Sequence, residues 1–391
     1  MKNTNKLDAI IIDDNADIAM LLEHAVKKAG FHTTLSNSSE IAMNLFKAYK
    51  YDLILTDWMM PNFSGLELIR WIRAQKNFEE SYIIMITAKQ GVESLEKALE
   101  EGADDYLTKP ITLGELYARI NVAKRVILLR KEREKYIQKL FELNQKMKKN
   151  LISGLNAQKM LLPPEKIEFP ELIFSSFSNP AEFLSGDNHD FIRLSDEIYL
   201  LFHLDMCGHG VASALYGITV KTLIGNMSSD FLKANGVKNV LQKLNTKFYE
   251  SIGGGQYFTL VLILFDFTKN ELLYISAGHS GLYIIDKDKD IKQADSTAPP
   301  IGLFEKYESA SVTLSMDKVE KIFVISDGVS EARNSNNEFL GEDKVLKAIE
   351  HTKNSSIEEQ VNYIKNIAYK WTGGKNFSDD LSIIGVKIIE K

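Results

Sequence analysis

The sequence is short of several things that would place it in a large class. It has one cysteine, Cys207, in 391 residues. No disulfide can form within the chain, and no cysteine cluster can hold structural zinc. A reducing, cytoplasmic setting is the expectation. No apolar run approaches the roughly 20 residues that cross a bilayer. Met1–Asp8 is polar, and Ala9–Ile12 behind it is far shorter than the core of a secretory leader. A soluble chain is expected, with no membrane contact except through a partner. Positive charge is not in excess: 47 Lys and Arg against 53 Asp and Glu leave a formal charge of -6. Neutralising a polyanion takes clustered Lys and Arg, so nucleic acid is not an expected partner. Hydrophobic residues at 45% and charged residues at 26% argue against disordered or fibrous classes. At roughly 150 residues per domain the length suits two domains and a connector.

Proline is scarce where it matters. None occurs from Glu115 to Leu162, while apolar residues recur at Ile120, Ile127, Ile137, Leu140, Leu143, Met147, Leu151 and Leu155, mostly three or four apart. That spacing predicts one long helix with coiled-coil character. Pro163-Pro164 ends it, because proline cannot continue the hydrogen-bond ladder. Within it, 124–149 carries ten Lys or Arg against three Glu, read here as a solvated face rather than an acidic docking site. The expected organisation is 1–123, a helical linker 124–162, and 163–391.

Before the linker, the strand-like runs Ala9–Ile12, Asp52–Leu55, Tyr82–Ile86 and Asp105–Leu107 alternate with amphipathic stretches, the pattern of a parallel sheet buried on both faces. After it, eight strand-like runs lie near 172–177, 198–204, 258–267, 272–276, 282–285, 311–314, 322–325 and 383–388, and helices near 212–227, 236–251, 342–352 and 357–371. Many strands with segregated helices predict a layered α+β domain.

Polar residues interrupt the first set of strands at their C-terminal ends: Asp13, Asp14, Asp57, Thr87 and Lys109. Ligands bind at that edge of a parallel sheet. Three converging carboxylates call for a cation, and all-oxygen ligands suit Mg²⁺. Lys109 and Thr87 could hold phosphoryl oxygens. Ile12-Asp13-Asp14, Asp57-Trp-Met-Met-Pro61 with Gly65, Thr87-Ala88 and Lys109-Pro110 together resemble the receiver domain of bacterial response regulators. The resemblance covers about 6–123 and implies a doubly wound, five-stranded parallel α/β fold. It makes Asp57 the acceptor of a phosphoryl group from a sensor histidine kinase or phosphotransfer protein. It places Mg²⁺ on Asp14, Asp57 and the Met59 carbonyl with Asp13 assisting, moves Thr87 and Tyr106 on phosphorylation, and makes Lys109-Pro110 cis.

The second half sets acids beside glycines: Ser185-Gly-Asp187-Asn-His-Asp190, Asp205-Met-Cys-Gly-His-Gly210, Ser326-Asp327-Gly328 and Ser378-Asp379-Asp380. Glycine lets backbone approach an ion closely, and four carboxylates from distant segments suit a binuclear Mg²⁺ or Mn²⁺ site. With Leu155-Asn-Ala-Gln158, Leu161-Leu-Pro163, Ala277-Gly-His279 and Pro299-Pro-Ile-Gly302, the set resembles the SpoIIE-type branch of metal-dependent protein phosphatases over about 155–389. That implies a β-sandwich flanked by helices, with Asp205 bridging two Mn²⁺ or Mg²⁺ ions and acting in catalysis. The Met206 carbonyl and Asp187 would serve one ion, Asp327 and Asp379 the other, with Asp190 and Asp380 orienting. The sequence departs from the family's Gly-Gly-Asp with Ser185, and from its aromatic pair with Asn188-His189. The substrate implied is a phosphoserine or phosphothreonine on a STAS-type anti-sigma factor antagonist.

His209 and His279 lie in glycine turns and are not needed to complete an oxygen site, and Cys207 is read as a space-filling residue. Rival readings are a regulator that binds its partner without turnover and, from Gly253-Gly-Gly-Gln-Tyr257, a nucleotide cyclase; the latter run lacks an acidic pair. No basic helix-turn-helix follows the receiver-like part. The expected coupling runs from Asp57 through dimer packing of the helix to the metal loops.

Overall fold

A computed structural model of the chain describes residues 7–88, 92–208, 210–233, 236–252, 255–374 and 377–389. The chain forms two compact units that meet between Gln145 and Lys146, inside a helix. Among the described residues no helix is long and apolar enough to cross a membrane.

The first unit alternates β1 (Leu7–Ile12), α1 (Ala16–Lys28), β2 (Phe31–Ser36), α2 (Ser39–Ala48), β3 (Leu53–Asp57), α3 (Gly65–Arg73), β4 (Tyr82–Thr87), α4 (Val92–Glu100), β5 (Asp105–Thr108) and α5 (Leu113–Lys159). Its five strands are parallel in the order β2-β1-β3-β4-β5. The runs that form β3 and β4 are buried at every residue, as a sheet covered on both faces requires. One core lies under α1 and the start of α5, the other under α2, α3 and α4. β2 went unread in the sequence because Phe31-His-Thr-Thr-Leu-Ser is polar, as an edge strand can be. Local signals set the helix starts: Asn15 accepts from the N–H groups of Asp17 and Ile18, and Ser64 and Glu67 form a capping box.

The apolar stripe of α5 serves two purposes. Leu116, Ile120, Ala123 and Ile127 are core residues of the first unit. Arg130 reaches Asp104 at 3.1 Å, Lys131 reaches Asp52 at 2.7 Å and Arg133 reaches Glu80 at 2.7 Å. From Glu132 to Asn150 every residue is exposed. The large apolar and aromatic members of that stretch, Tyr136, Ile137, Leu140, Phe141, Leu143 and Met147, are between 54% and 65% exposed.

The second unit contains β6 (Lys166–Glu168), β7 (Leu172–Asn179), β8 (Asn188–Arg193), β9 (Ile198–Met206), α6 (Val211–Asn226), α7 (Gly236–Ile252), β10 (Phe258–Asp266), β11 (Glu271–Ala277), β12 (Leu282–Asp286), β13 (Ile291–Gln293), β14 (Val312–Ser315), β15 (Val319–Ile325), α8 (Asp327–Ser330), α9 (Glu342–His351), α10 (Ile357–Thr372) and β16 (Leu381–Ile388). Two antiparallel sheets result, β14-β11-β10-β9-β8 and β13-β12-β15-β16-β7-β6. One core fills the space between them, led by Phe174, Tyr199, Phe265 and Val324. A second core joins the five-stranded sheet to α6 and α7, and a third joins the six-stranded sheet to α8, α9 and α10. The α+β layering read from the sequence is thus a sandwich with helices on both outer faces.

Candidate functional site

In the first unit, the C-terminal ends of β1, β3, β4 and β5 deliver Asp13, Asp57, Thr87 and Lys109 to one edge. Asp13 and Asp57 are buried, and the Lys109 ammonium lies 2.6 Å from Asp57 Oδ1 and 3.2 Å from Asp13 Oδ2. Burial raises the Asp57 pKa, and Lys109 opposes that rise. Burial pulls the Lys109 pKa down, but Asp57 and Asp13 outweigh it and leave the ammonium more basic than usual. The Met59 N–H donates to Asp57 Oδ2 at 3.0 Å. Thr87 is buried at the end of β4, and its carbonyl accepts from the Lys109 N–H at 2.7 Å. Asp14 stands exposed at the rim. Tyr106 is half-buried, with the Arg119 guanidinium 5.8 Å from its ring centroid. The Lys109-Pro110 bond is cis. Gly65 answers to close approach: a Cβ there would sit 1.9 Å from the Asp57 carbonyl oxygen, so only glycine lets α3 begin so near the acceptor strand.

In the second unit the acids come from both sheets. Asp187 precedes β8 and Asp205 lies at the end of its antiparallel neighbour β9. Asp327 follows β15, and Asp379 precedes the antiparallel β16. All four therefore emerge at one end of the sandwich. Burial pushes the Asp205 carboxyl up to about 10, aided by the charges of Asp187, Asp327 and Asp379. Burial, then Asp379, lifts Asp327 to about 6. Asp187 is raised by burial and then by Asp380, and its Oδ2 is buried without a hydrogen-bond partner. Gly328 lets two of the loops meet: a Cβ there would lie 2.0 Å from the Asp380 carbonyl oxygen. The Ser326 hydroxyl adds a 3.1 Å donation to that same oxygen.

Asp380 and Asp190 are already engaged. Asp380 accepts from the N–H groups of Ala181 at 2.7 Å and Gly186 at 2.6 Å, and Asp190 pairs with Lys221 of α6 at 3.0 Å. Asp380 thus shapes the loop that carries Asp187. The two departures in this loop are also accounted for. Ser185 binds through its backbone to Gln158. Asn188 is wholly buried, with its Nδ2 donating to Gly186 O at 3.3 Å, and His189 is buried at the start of β8.

Sequence reasoning missed His203. It lies within an apolar run, but strand alternation turns it to the same face as Asp205. Its Nε2 stands 3.7 Å from Asp187 Oδ2, and its ring centroid is 5.1 Å from that of His279. Burial holds both imidazoles down to about 3, so they are neutral neighbours of the acids. His279 pairs through Nδ1 with the Thr259 hydroxyl at 3.2 Å. Cys207 is half-buried, its N–H donating to Tyr257 O at 3.0 Å. His209, Gly253 and Gly254 lie outside the described residues.

Among the described residues no three His, Cys, Asp or Glu side chains are gathered as a finished ligand shell. The donor set nevertheless fits a hard divalent cation. It is all oxygen, its charges repel one another, and its Asp187 member is buried with a carboxylate oxygen that accepts no hydrogen bond.

Comparison with known proteins agrees with both halves. The response regulator receiver domain matches residues 9–121, and the Stage II sporulation protein E (SpoIIE) family matches residues 195–389. The phosphate regulon transcriptional regulatory protein PhoB of Pseudomonas aeruginosa is 38% identical over 116 residues, which are 30% of this chain and 51% of PhoB. The phosphoserine phosphatase RsbU of Bacillus subtilis is 28% identical over 233 residues, 59% of this chain and 67% of RsbU. The SiaA-PP2C domain of Pseudomonas aeruginosa superposes with a TM-score of 0.52 at 16% identity, covering 63% of this chain and 98% of that domain. At that identity the likeness is one of fold. The chain spans about half the length of PhoB.

Proposed function

From a chain that joins a response regulator receiver domain to a SpoIIE-type, PP2C-like phosphatase domain, we propose a phosphorylation-controlled, metal-dependent protein serine/threonine phosphatase. In the receiver, a carboxylate oxygen of Asp57 attacks a phosphohistidine on a sensor kinase or phosphotransfer protein. The O–P bond forms as the donor's N–P bond breaks. Lys109, held at Asp57 and Asp13, neutralises charge at the phosphoryl oxygens, and Thr87 meets the acyl phosphate from the end of β4. Asp13, Asp14, Asp57 and the Met59 carbonyl would hold Mg²⁺.

In the second unit Asp187, Asp205, the Met206 carbonyl, Asp327 and Asp379 would hold two Mn²⁺ or Mg²⁺ ions, which polarise a phosphoryl group and activate water when bound. The residues themselves set the charge and the access. The carrying observation is that Asp187, Asp205, Asp327 and Asp379 come together from four strand ends, where burial and then the charges of the other three push Asp205 up to about 10. A divalent ion is the partner that would let them ionise together. RsbU's description as a phosphoserine phosphatase supports a phosphoserine or phosphothreonine substrate, for which we take a STAS-type anti-sigma factor antagonist. The exposed stripe Ile137, Leu140, Leu143 and Met147 supports a homodimer through α5, and phosphorylation would act by changing that packing. The second reading is a regulator that binds its partner without turnover.

The test is metal-dependent release of phosphate from an aryl phosphate and from a phosphoserine STAS protein, with and without beryllofluoride, beside Asp205→Ala. Release with Mn²⁺ that is lost in Asp205→Ala supports the phosphatase, and the beryllofluoride comparison gives the sign of control. No release under any condition moves the assignment to the binding regulator.

A further inference from the structure

The end of α5 meets the second unit through a few half-buried residues and one buried side chain. From Lys146 to Leu162, Gln158 is the one buried residue, at 4% exposure. A buried carboxamide is costly unless both its ends are satisfied. Here a single residue satisfies both. Gln158 Nε2 donates to Ser185 O at 2.6 Å, and Gln158 Oε1 accepts from Ser185 N at 3.0 Å. The side chain pairs with the Ser185 backbone as a neighbouring strand would, so it fixes both position and rotation.

The grip extends along the loop. One turn earlier in α5, a Cβ added at Gly154 would lie 3.5 Å from Leu184, so the helix backbone runs close over that side chain. On the far side Asp380 holds Gly186 N at 2.6 Å. Leu184, Ser185 and Gly186 are therefore held between α5 and Asp380, and the next residue is Asp187. Its Oδ2 is buried without a hydrogen-bond donor, the His203 Nε2 standing 3.7 Å away.

We propose that Gln158 is a positioning residue, whose paired hydrogen bonds transmit the setting of the last turns of α5 through Ser185 to the Asp187 carboxylate. The inference rests on the metal reading of the acidic set and deepens it by naming where that site is regulated. A shift or unwinding of α5 that breaks the pair frees the loop on one side. Asp187 then holds its cation less well, while the sandwich core is untouched. Positioning by an outer hydrogen-bond partner is the usual way proteins tune metal affinity, and losing such a partner typically weakens it roughly 10- to 100-fold.

The experiment uses the full chain and three variants. Gln158→Met keeps the volume and removes both hydrogen bonds, Gln158→Ala removes volume as well, and Lys159→Ala alters an exposed neighbour in the same turn. Mn²⁺ binding is measured by titration calorimetry, and amide hydrogen exchange is measured across 184–190. The expected result is Mn²⁺ affinity lowered roughly 10- to 100-fold and faster exchange at 184–190 in both Gln158 variants. Lys159→Ala should match the parent, as should exchange in β10 and β15 of all variants. Parental affinity and exchange in a folded Gln158→Met would overturn the proposal. If the parent binds no Mn²⁺, the metal reading fails by itself, and exchange at 184–190 in Gln158→Met against the parent still decides whether Gln158 sets the loop.

Discussion

Asp380 Oδ2 accepts the backbone N–H of Gly186 at 2.6 Å, so this acid is spent on shaping its neighbour's loop. Its other oxygen takes the Ala181 N–H at 2.7 Å. Hydrogen bonds to a charged acceptor are worth about 1.5–3 kcal/mol each. Asp380→Ala should lower the urea stability of the second unit by about 2–4 kcal/mol and weaken Mn²⁺ binding, whereas Asp380→Asn, which keeps one acceptor oxygen, should lose less. Equal loss in both variants would mean that the carboxylate has a different task.

Gly328→Ala places a methyl where 2.0 Å separates it from the Asp380 carbonyl oxygen. No side chain there can swing away, because the obstacle is backbone. The loops bearing Asp327 and Asp379 must part, at about 1–3 kcal/mol or more. Denaturant unfolding and Mn²⁺ titration should both register the change.

Asp57→Asn should accept no phosphoryl group from a small-molecule donor such as acetyl phosphate and should leave phosphatase activity indifferent to beryllofluoride. Intact-protein mass reads the first effect and phosphate release the second. A variant that still responds to beryllofluoride would separate the output from Asp57.

Acid should destabilise the second unit through His279. Its folded pKa is held down to about 3 against an ordinary 6.5. Between those values the unfolded chain binds a proton that the folded chain refuses, so stability is present above pH 6.5 and is lost as pH falls toward 3. At about 1.4 kcal/mol per unit, the loss from pH 6.5 to 5 is about 2 kcal/mol. His279→Gln should flatten that slope in urea midpoints taken at the two pH values.

Leu140→Lys, in the exposed stripe of α5, should convert a dimer to a monomer by light scattering without changing the unfolding of either unit. A parent that is already monomeric at micromolar concentration would remove α5 as the dimer contact.

Much of this was legible beforehand. Apolar runs ending in acids, such as Leu53–Asp57, mark both a buried parallel strand and the edge where its chemistry sits. Proline-free spacing gave α5 to within three residues of its ends. What escaped were polar strands, β2, β6 and β13 at sheet edges and β8, whose polar residues turn inward. Asn188-His-Asp-Phe-Ile-Arg reads as a loop until the sandwich closes over Asn188 and His189. His203 hid for the opposite reason, as one polar residue in an apolar strand; the signal available was its two-residue spacing from Asp205. The acids themselves were legible, with Asp190 and Asp380 set apart by the resemblance as orienting residues; what was not legible was the partners of Asp380, the backbone N–H groups of Ala181 and Gly186.

The exposed stretch of α5 has one more consequence. From Glu132 to Asn150 the chain presents lysines and arginines at 133, 135, 139, 146, 148 and 149, every one exposed. Packing in its own chain does not shield it, and an isolated helix of such length opens readily in water. Brief trypsin treatment should therefore nick the protein here first, parting the two units while each stays folded. Whatever slows that cut, whether self-association or a bound partner, would reveal itself as protection of this one stretch.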